Sequence, residues 1–259
     1  MQLRQAGDVR FFQFEAIDPE RVAQGVFARH GGVSPGPYAS LNMSVSTGDS
    51  GDNVRRNRAR AFQALGRDPA SIADLWQVHS AEVVVAETPN ALQDYLGKAD
   101  ALITDNPAVT LFLRFADCVP VLLYDPRRPA VGLVHAGWRG TVAGVVQATV
   151  RAMAERYGSR PEDVIGSIGP SIGPCHYAVG PEVAEQTRQA YPAAADLLLR
   201  QEGRTHLDLW AANTYALRQA GVGQVEVSGL CTACHNRDFF SHRADGPRTG
   251  RFGALLALR

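Results

Sequence analysis

Three residues able to bind a metal stand where predicted strands run out. His79 closes Leu-Trp-Gln-Val-His-Ser, Cys118 sits in Phe-Ala-Asp-Cys-Val-Pro, and His135 ends Val-Gly-Leu-Val-His before Ala-Gly-Trp-Arg-Gly. Strand ends are where loops deliver functional side chains in sheet proteins. Two imidazoles and a thiolate form a three-ligand set for zinc that leaves a fourth position for water or substrate. Such a site acidifies a bound water and stabilises developing negative charge. The gaps of 39 and 17 residues are not those of a local zinc finger. Spacing alone therefore leaves a second reading open, a buried thiol beside two hydrogen-bonded core histidines. A third treats Cys118 as a nucleophile with His135 as its base.

Anion-binding candidates flank these positions. His135 leads through Gly137 and Trp138 to Arg139 and Gly140 and then a helix. Free amides in the first turn of a helix and a nearby guanidinium both suit a phosphate or carboxylate. Arg29, before His30-Gly31-Gly32, is a second cation beside a loop whose glycines permit close backbone approach. Tight surface turns with solvated arginines are the alternative for both segments. An arginine-dense loop spans 243–251, and either a solvated turn, ion pairs or an anionic substrate would account for it.

Cys231-Thr232-Ala233-Cys234-His235 formally matches a haem-attachment motif. The N-terminal residues lack the long apolar stretch of an export signal, which argues against that match. A second zinc site would need a partner pair, and no other Cys-x-x-Cys occurs. The segment is therefore expected to be structural, or to shape a pocket with Phe239, Phe240, Ser241 and His242. Cys175, in the loop 169–176, has no assigned role.

The elements that must position these residues are carried by 259 residues, 45% apolar and 20% charged. That suits one large or two small domains with a sizeable core. Lys plus Arg and Asp plus Glu both total 26, so the chain lacks the basic excess of a nucleic-acid or membrane-surface binder. Lys98 is the sole lysine and follows no glycine-rich loop, which removes a P-loop. No run approaches the roughly 18 apolar residues of a membrane span. A cytosolic setting with reduced cysteines follows as an expectation. Strands are expected over 9–14, 24–28, 75–78, 82–86, 101–104, 109–115, 119–124, 130–134, 164–168, 225–227 and 254–258. Helices are expected from Asp52 as N-cap to about 65, and over 141–157, 181–191 and 209–220.

Taken together, ARHGGVSPGPYASLN, LWQVHS, ADALIT, FADCVPVLLYD, VGLVHAGWRGTVAGVV, IGPSIGPCHYAVG and CTACHNRDFFSHRADGPRTGRFG resemble the YfiH-like family. That family was long labelled multicopper polyphenol oxidoreductase, or laccase-domain, and is now associated with purine nucleoside phosphorylase activity. The resemblance covers about residues 28–253 and implies a single compact α+β domain over 1–259, with mixed β-sheets packed against helices. It implies a metal, usually zinc, on His79, Cys118 and His135, with copper less favoured because the chain has only seven histidines. It also places Arg29 with Cys118 and His135 in the catalytic pocket. Arg29, Asn42, Arg139 and Gly140 are the expected substrate- and phosphate-binding residues. The implied partners are a small-molecule nucleoside and phosphate, without nucleic acid or membrane. The implied reactions are phosphorolysis of adenosine, inosine, guanosine or methylthioadenosine and deamination of adenosine. Glu82 and Asp117 are the available candidates for a proton-transferring carboxylate. The alternative within the same resemblance is a cysteine hydrolase that edits peptidoglycan precursors. Ala28, Met43-Ser44, Ala178, His242 and Ala244 depart from the usual family pattern, and none is a proposed metal ligand.

Overall fold

The computed structural model describes residues 1–90 and 95–259. Its strands in chain order are β1 (Gln2–Ala6), β2 (Val9–Gln13), β3 (Val22–Phe27), β4 (Ile72–Asp74), β5 (Val83–Val85), β6 (Ala101–Thr104), β7 (Thr110–Phe115) and β8 (Val119–Asp125). They continue with β9 (Ala130–Ala136), β10 (Ile165–Ile168), β11 (Ala178–Val179), β12 (Leu198–Gln201), β13 (Arg204–Leu207), β14 (Gln224–Val227) and β15 (Phe252–Leu258). The helices are α1 (Gly51–Ala64), α2 (Trp138–Val142), α3 (Val145–Tyr157), α4 (Pro181–Ala190), α5 (Leu209–Gln219) and α6 (His242–Asp245), with short 3-10 turns between elements.

Two six-stranded mixed sheets form the centre, ordered β1-β2-β3-β15-β7-β4 and β14-β10-β8-β9-β6-β5. A small third sheet runs β11-β13-β12. One apolar cluster joins the two large sheets face to face through Leu111, Leu113, Phe115 and Leu256 from the first and Leu122, Val131 and Leu133 from the second. The outer face of the second sheet, with Val121, Leu123 and Val134, packs on Val146, Val150 and Met153 of α3 and Ala212, Ala216 and Leu217 of α5. The outer face of the first, with Phe27, Phe112 and Leu255, packs on Ala61 and Phe62 of α1. The result is a helix–sheet–sheet–helix stack. Strands β7, β8, β9 and β15 are buried at every position, as expected for strands covered on both faces.

The expected α+β class is borne out, with sequence boundaries off by a residue or two at most strands. Larger differences have local causes. The helix expected over 141–157 is broken into α2 and α3 because Gly144 adopts φ +81°, a left-handed backbone that ends one helix and starts the next. The strand expected over 75–78 is displaced to β4, and Trp76 keeps only an isolated bridge to Lys98. Asp52 lies inside the first turn of α1, and Ser50 occupies the N-cap; a carboxylate there still favours the helix dipole. Strands β1, β11, β12 and β13 and helix α6 were not anticipated.

Candidate active site

His135 lies on β9 one residue from its end, and Cys118 sits in the turn that carries the chain from β7 of the first sheet to β8 of the second. His79 lies in the loop between β4 and β5 with φ +61°, and Asp117, next to Cys118, has φ +86°. Non-glycine residues held in the left-handed region are uncommon and cluster at functional sites. The ligand atoms of His79, Cys118 and His135 all lie within 4.8 Å of one another. Cys118 Sγ is 3.8 Å from His79 Nε2.

One carboxylate, Asp100 at the start of β6, fastens both histidine segments. Its Oδ1 accepts from His135 Nδ1 at 2.8 Å, which leaves Nε2 for the thiol side. Its Oδ2 accepts from Ser80 N at 2.6 Å, Ser80 Oγ at 3.0 Å and Val78 N at 3.2 Å, bracketing His79. The backbone repeats the link, with His135 N donating to Asp100 O at 2.7 Å. A carboxylate on the far nitrogen of a metal-binding histidine orients the ring and raises its basicity.

Charge follows this geometry. Burial opposes the Cys118 thiolate, but the adjacent His135 imidazolium and hydrogen bonds from both histidines outweigh it and bring the thiol down to about 6. Burial likewise opposes the His135 cation, yet Cys118 and Asp100 push it up to about 9. Asp100 is buried, which works against its charge, and His135 and Ser80 nonetheless hold it down at about 2.

The trio opens on a cavity of about 610 Å³, within the usual range for small-molecule sites. Trp76, Tyr95, Trp138 and Tyr177 supply aromatic surface, and Arg114, Arg139, Arg243 and Arg251 supply cationic heads. Trp76 is 50% exposed and meets Tyr95 edge to face at 5.5 Å. Arg114 is neutralised by Asp74 at 2.8 Å. Among the described residues, Arg139, Arg243 and Arg251 have no carboxylate partner. Arg139 lies over Trp138 at 4.4 Å and Arg243 over Tyr177 at 5.2 Å.

A family model described as multi-copper polyphenol oxidoreductase laccase matches residues 23–259. The chain belongs to that family. Within it, a purine nucleoside phosphorylase of Deinococcus radiodurans is 44% identical over 230 residues, covering 89% of this chain and 87% of the relative. A purine nucleoside phosphorylase of Bacteroides thetaiotaomicron is 36% identical over 255 residues, 94% of each chain. The crystal structure of YlmD from Geobacillus stearothermophilus has a TM-score of 0.92 to this chain at 35% identity, covering 99% of this chain and 98% of that one.

Several residues expected in this laccase-domain pocket lie elsewhere. Arg29 does not line the cavity. Its Nε donates to Ala39 O at 2.9 Å and its Nη1 to Asn236 O at 2.8 Å, while Asp245 lies 3.6 Å away and the Phe240 ring 4.3 Å below. It braces the loop after β3 against the 236–245 segment. Asn42 is fully buried. It donates to Ser44 O and Asp49 Oδ2 and accepts from Arg251 N at 2.9 Å, so it supports Ser44 and Arg251, which do line the cavity. Gly140 is inside α2, which starts at Trp138 rather than after Gly140.

Neither candidate carboxylate is free for proton transfer. Glu82 is exposed and outside the cavity. Asp117 lines it, but Oδ1 accepts from Thr232 and Ser241 at 2.7 Å each and Oδ2 accepts from Arg243 N at 2.7 Å. Phe239, Phe240 and Ser241 are core residues, leaving His242 alone of that group at the cavity. Sequence reasoning missed Asp100, Trp76 and Tyr177, and it reached Arg243 and Arg251 only through the arginine density of 243–251, for which an anionic substrate is one of three readings. No helix among the described residues is long and apolar enough to cross a membrane.

The Cys-x-x-Cys segment needs a correction as well. It does have partners, Cys175 and His176, whose ligand atoms lie within 4.8 Å of those of Cys231 and Cys234. They come from the loop between β10 and β11, more than 50 residues earlier, where no sequence spacing reveals them.

Proposed function

We propose that this chain is a purine nucleoside phosphorylase whose metal is zinc held by His79, Cys118 and His135. The fit of a metal rests on two observations. The 3.8 Å between Cys118 Sγ and His79 Nε2 is close to the edge of about 3.5 Å that zinc-to-sulfur and zinc-to-nitrogen bonds of about 2.3 and 2.0 Å span in a tetrahedron. A Cβ on Gly137 would stand 2.9 Å from both Cys118 Sγ and His79 Cδ2, so the trio's space is kept by a residue without a side chain. Zinc is favoured over copper because the trio offers two imidazoles and one thiolate, short of the many histidines a multicopper centre needs. Zinc there would supply a Lewis-acidic centre that polarises a substrate atom.

The observation that carries the phosphorylase reading is one cavity holding this trio, an aromatic wall and three arginines that have no carboxylate partner among the described residues. In phosphorolysis a phosphate oxygen bonds the anomeric carbon while the carbon–nitrogen bond breaks and its electron pair goes to the purine, which then takes a proton. Arg139, Arg243 and Arg251 suit the phosphate, since guanidinium pairs with phosphate oxygens in charge-assisted bonds. Trp76 and Tyr177 offer faces for the purine. Adenosine, inosine, guanosine and methylthioadenosine share the purine and ribosyl groups this cavity would read. Adenosine deamination is the less supported activity, because zinc deaminases use a free glutamate and, among the described residues, the one carboxylate at the cavity, Asp117, is committed elsewhere.

A second reading has its own support. A thiol at about 6 beside an imidazole at about 9, with Asp100 on the far nitrogen, is also the arrangement of a cysteine hydrolase. The two separate cleanly. Adenosine and inosine are incubated with and without phosphate, using wild type, chelator-stripped protein and Cys118→Ala. Free base and ribose 1-phosphate that require both phosphate and metal support the phosphorylase. No phosphate-dependent product from fully metallated protein refutes it. Hydrolytic activity that survives chelation and dies on alkylation would establish the hydrolase.

A further inference from the structure

The four side chains that the fold assembles at the start of β11 have no part in the cavity chemistry. Cys175 Sγ lies 3.6 Å from Cys234 Sγ. His176 Nδ1 lies 3.3 Å from Cys175 Sγ, 3.4 Å from Cys234 Sγ and 3.7 Å from Cys231 Sγ. Zinc in a tetrahedron of three thiolates and an imidazole has sulfur–sulfur edges of about 3.8 Å and sulfur–nitrogen edges of about 3.5 Å. The observed separations scatter around those two lengths. A disulfide, by contrast, needs sulfur atoms about 2.05 Å apart.

We propose that Cys175, His176, Cys231 and Cys234 form a second zinc site, closed and structural, which clips the loop 169–177 to the segment 231–243. Four protein donors fill the tetrahedron, so no position is left for water or substrate; this is the mark of a structural rather than a catalytic site. Three sulfur donors select a soft or borderline metal such as zinc over magnesium or calcium. The backbone is arranged to match. Gly173 N donates to Cys231 Sγ at 3.2 Å, a bond to the sulfur of the kind that tunes a metal-bound thiolate. Ser171 N donates to Leu230 O and Thr232 N to Ser171 O, so the two segments are already in register before any metal arrives.

The clip bears on the cavity wall. Arg243 Nη1 donates to His176 O at 2.9 Å and Ala178 O at 3.2 Å, so the backbone of a zinc ligand anchors a cavity arginine. Tyr177, under that arginine, is the next residue along. The second site would thus hold the Tyr177–Arg243 side of the cavity without touching what binds there.

The test is metal stoichiometry on protein prepared under reducing conditions with zinc supplied. Wild type should hold about two zinc ions per chain, Cys118→Ala about one, Cys234→Ser about one, and the double variant none. Cys118→Ala refilled with cobalt should show the intense sulfur-to-cobalt charge-transfer absorption of a thiolate-rich tetrahedral site. Its three remaining cysteines should resist alkylation until chelator is added. One zinc in wild type that disappears altogether in Cys118→Ala would overturn the proposal, as would a Cys175–Cys234 disulfide or free alkylation of both thiols in the zinc-supplied protein. The cobalt and alkylation measurements on Cys118→Ala decide the matter even if Cys234→Ser does not fold.

Discussion

Replacing Asp100 by Asn tests the claim that one carboxylate organises the metal trio. The change keeps the shape and a neutral acceptor but removes the charge that faces His135 Nδ1 at 2.8 Å and the Ser80 amide at 2.6 Å. A carboxyl held at about 2 instead of 3.8 corresponds to roughly 2 kcal/mol, at about 1.36 kcal/mol per pH unit. Because the folded value is depressed, that stability is fully present above about pH 4 and is lost as pH falls through about 2. At pH 7 the metal-free variant should therefore unfold in denaturant with roughly 2 kcal/mol less stability than wild type. Losing the hydrogen-bond partner of a metal-binding histidine typically weakens metal affinity by roughly 10–100-fold. The assay is zinc competition against a chelating dye at pH 7.5, in a Cys234→Ser background so that a single class of site titrates. Zinc affinity within twofold of the parent, with unchanged stability, would show that Asp100 is a bystander.

Four further outcomes follow from the same geometry. Cys118 in metal-free protein should be alkylated with a midpoint near pH 6, the thiolate forming as pH rises through that value; a midpoint at the ordinary thiol value near 8.5 would remove the imidazolium partner from the account. Gly137→Ala should fold and yet lose zinc from the trio, since its new carbon would stand 2.9 Å from Cys118 Sγ, and metal analysis with circular dichroism checks both halves. Arg243→Ala should raise KM for phosphate by about 10–100-fold if its charge-assisted contact is worth roughly 1.5–3 kcal/mol, while Arg29→Ala, which removes a brace outside the cavity, should act through thermal stability and leave KM for phosphate near wild type.

The three candidate metal ligands could be read along the chain. His79, Cys118 and His135 each mark the end of a strand-like run, and those runs are apolar enough to be recognised. The arginines were harder. Arg29 and Arg139 look equivalent in sequence, each within two residues of a glycine, yet one guanidinium is consumed by Ala39, Asn236 and Asp245 and the other faces the cavity. Which donors are already spent depends on contacts across 200 residues of chain. Strand faces were hidden for another reason. Strands β7, β8, β9 and β15 are apolar on both sides, so no alternation tells which side meets the other sheet and which meets a helix.

The sequence by itself determined the α+β class, most strand positions and the family, and it picked out His79, Cys118 and His135 as candidate ligands, whose donor atoms the fold brings within 4.8 Å of one another. These follow from local composition, punctuation and motif order, which act over a few residues at a time. Only the tertiary structure decided that Asp100 binds both histidine segments, that Asp117 is committed to Thr232, Ser241 and Arg243, and that Cys175 and His176 meet Cys231 and Cys234. Those pairings are set by how two sheets stack and where their loops emerge. Sheet pairing brings together atoms whose sequence separation carries no information about their distance.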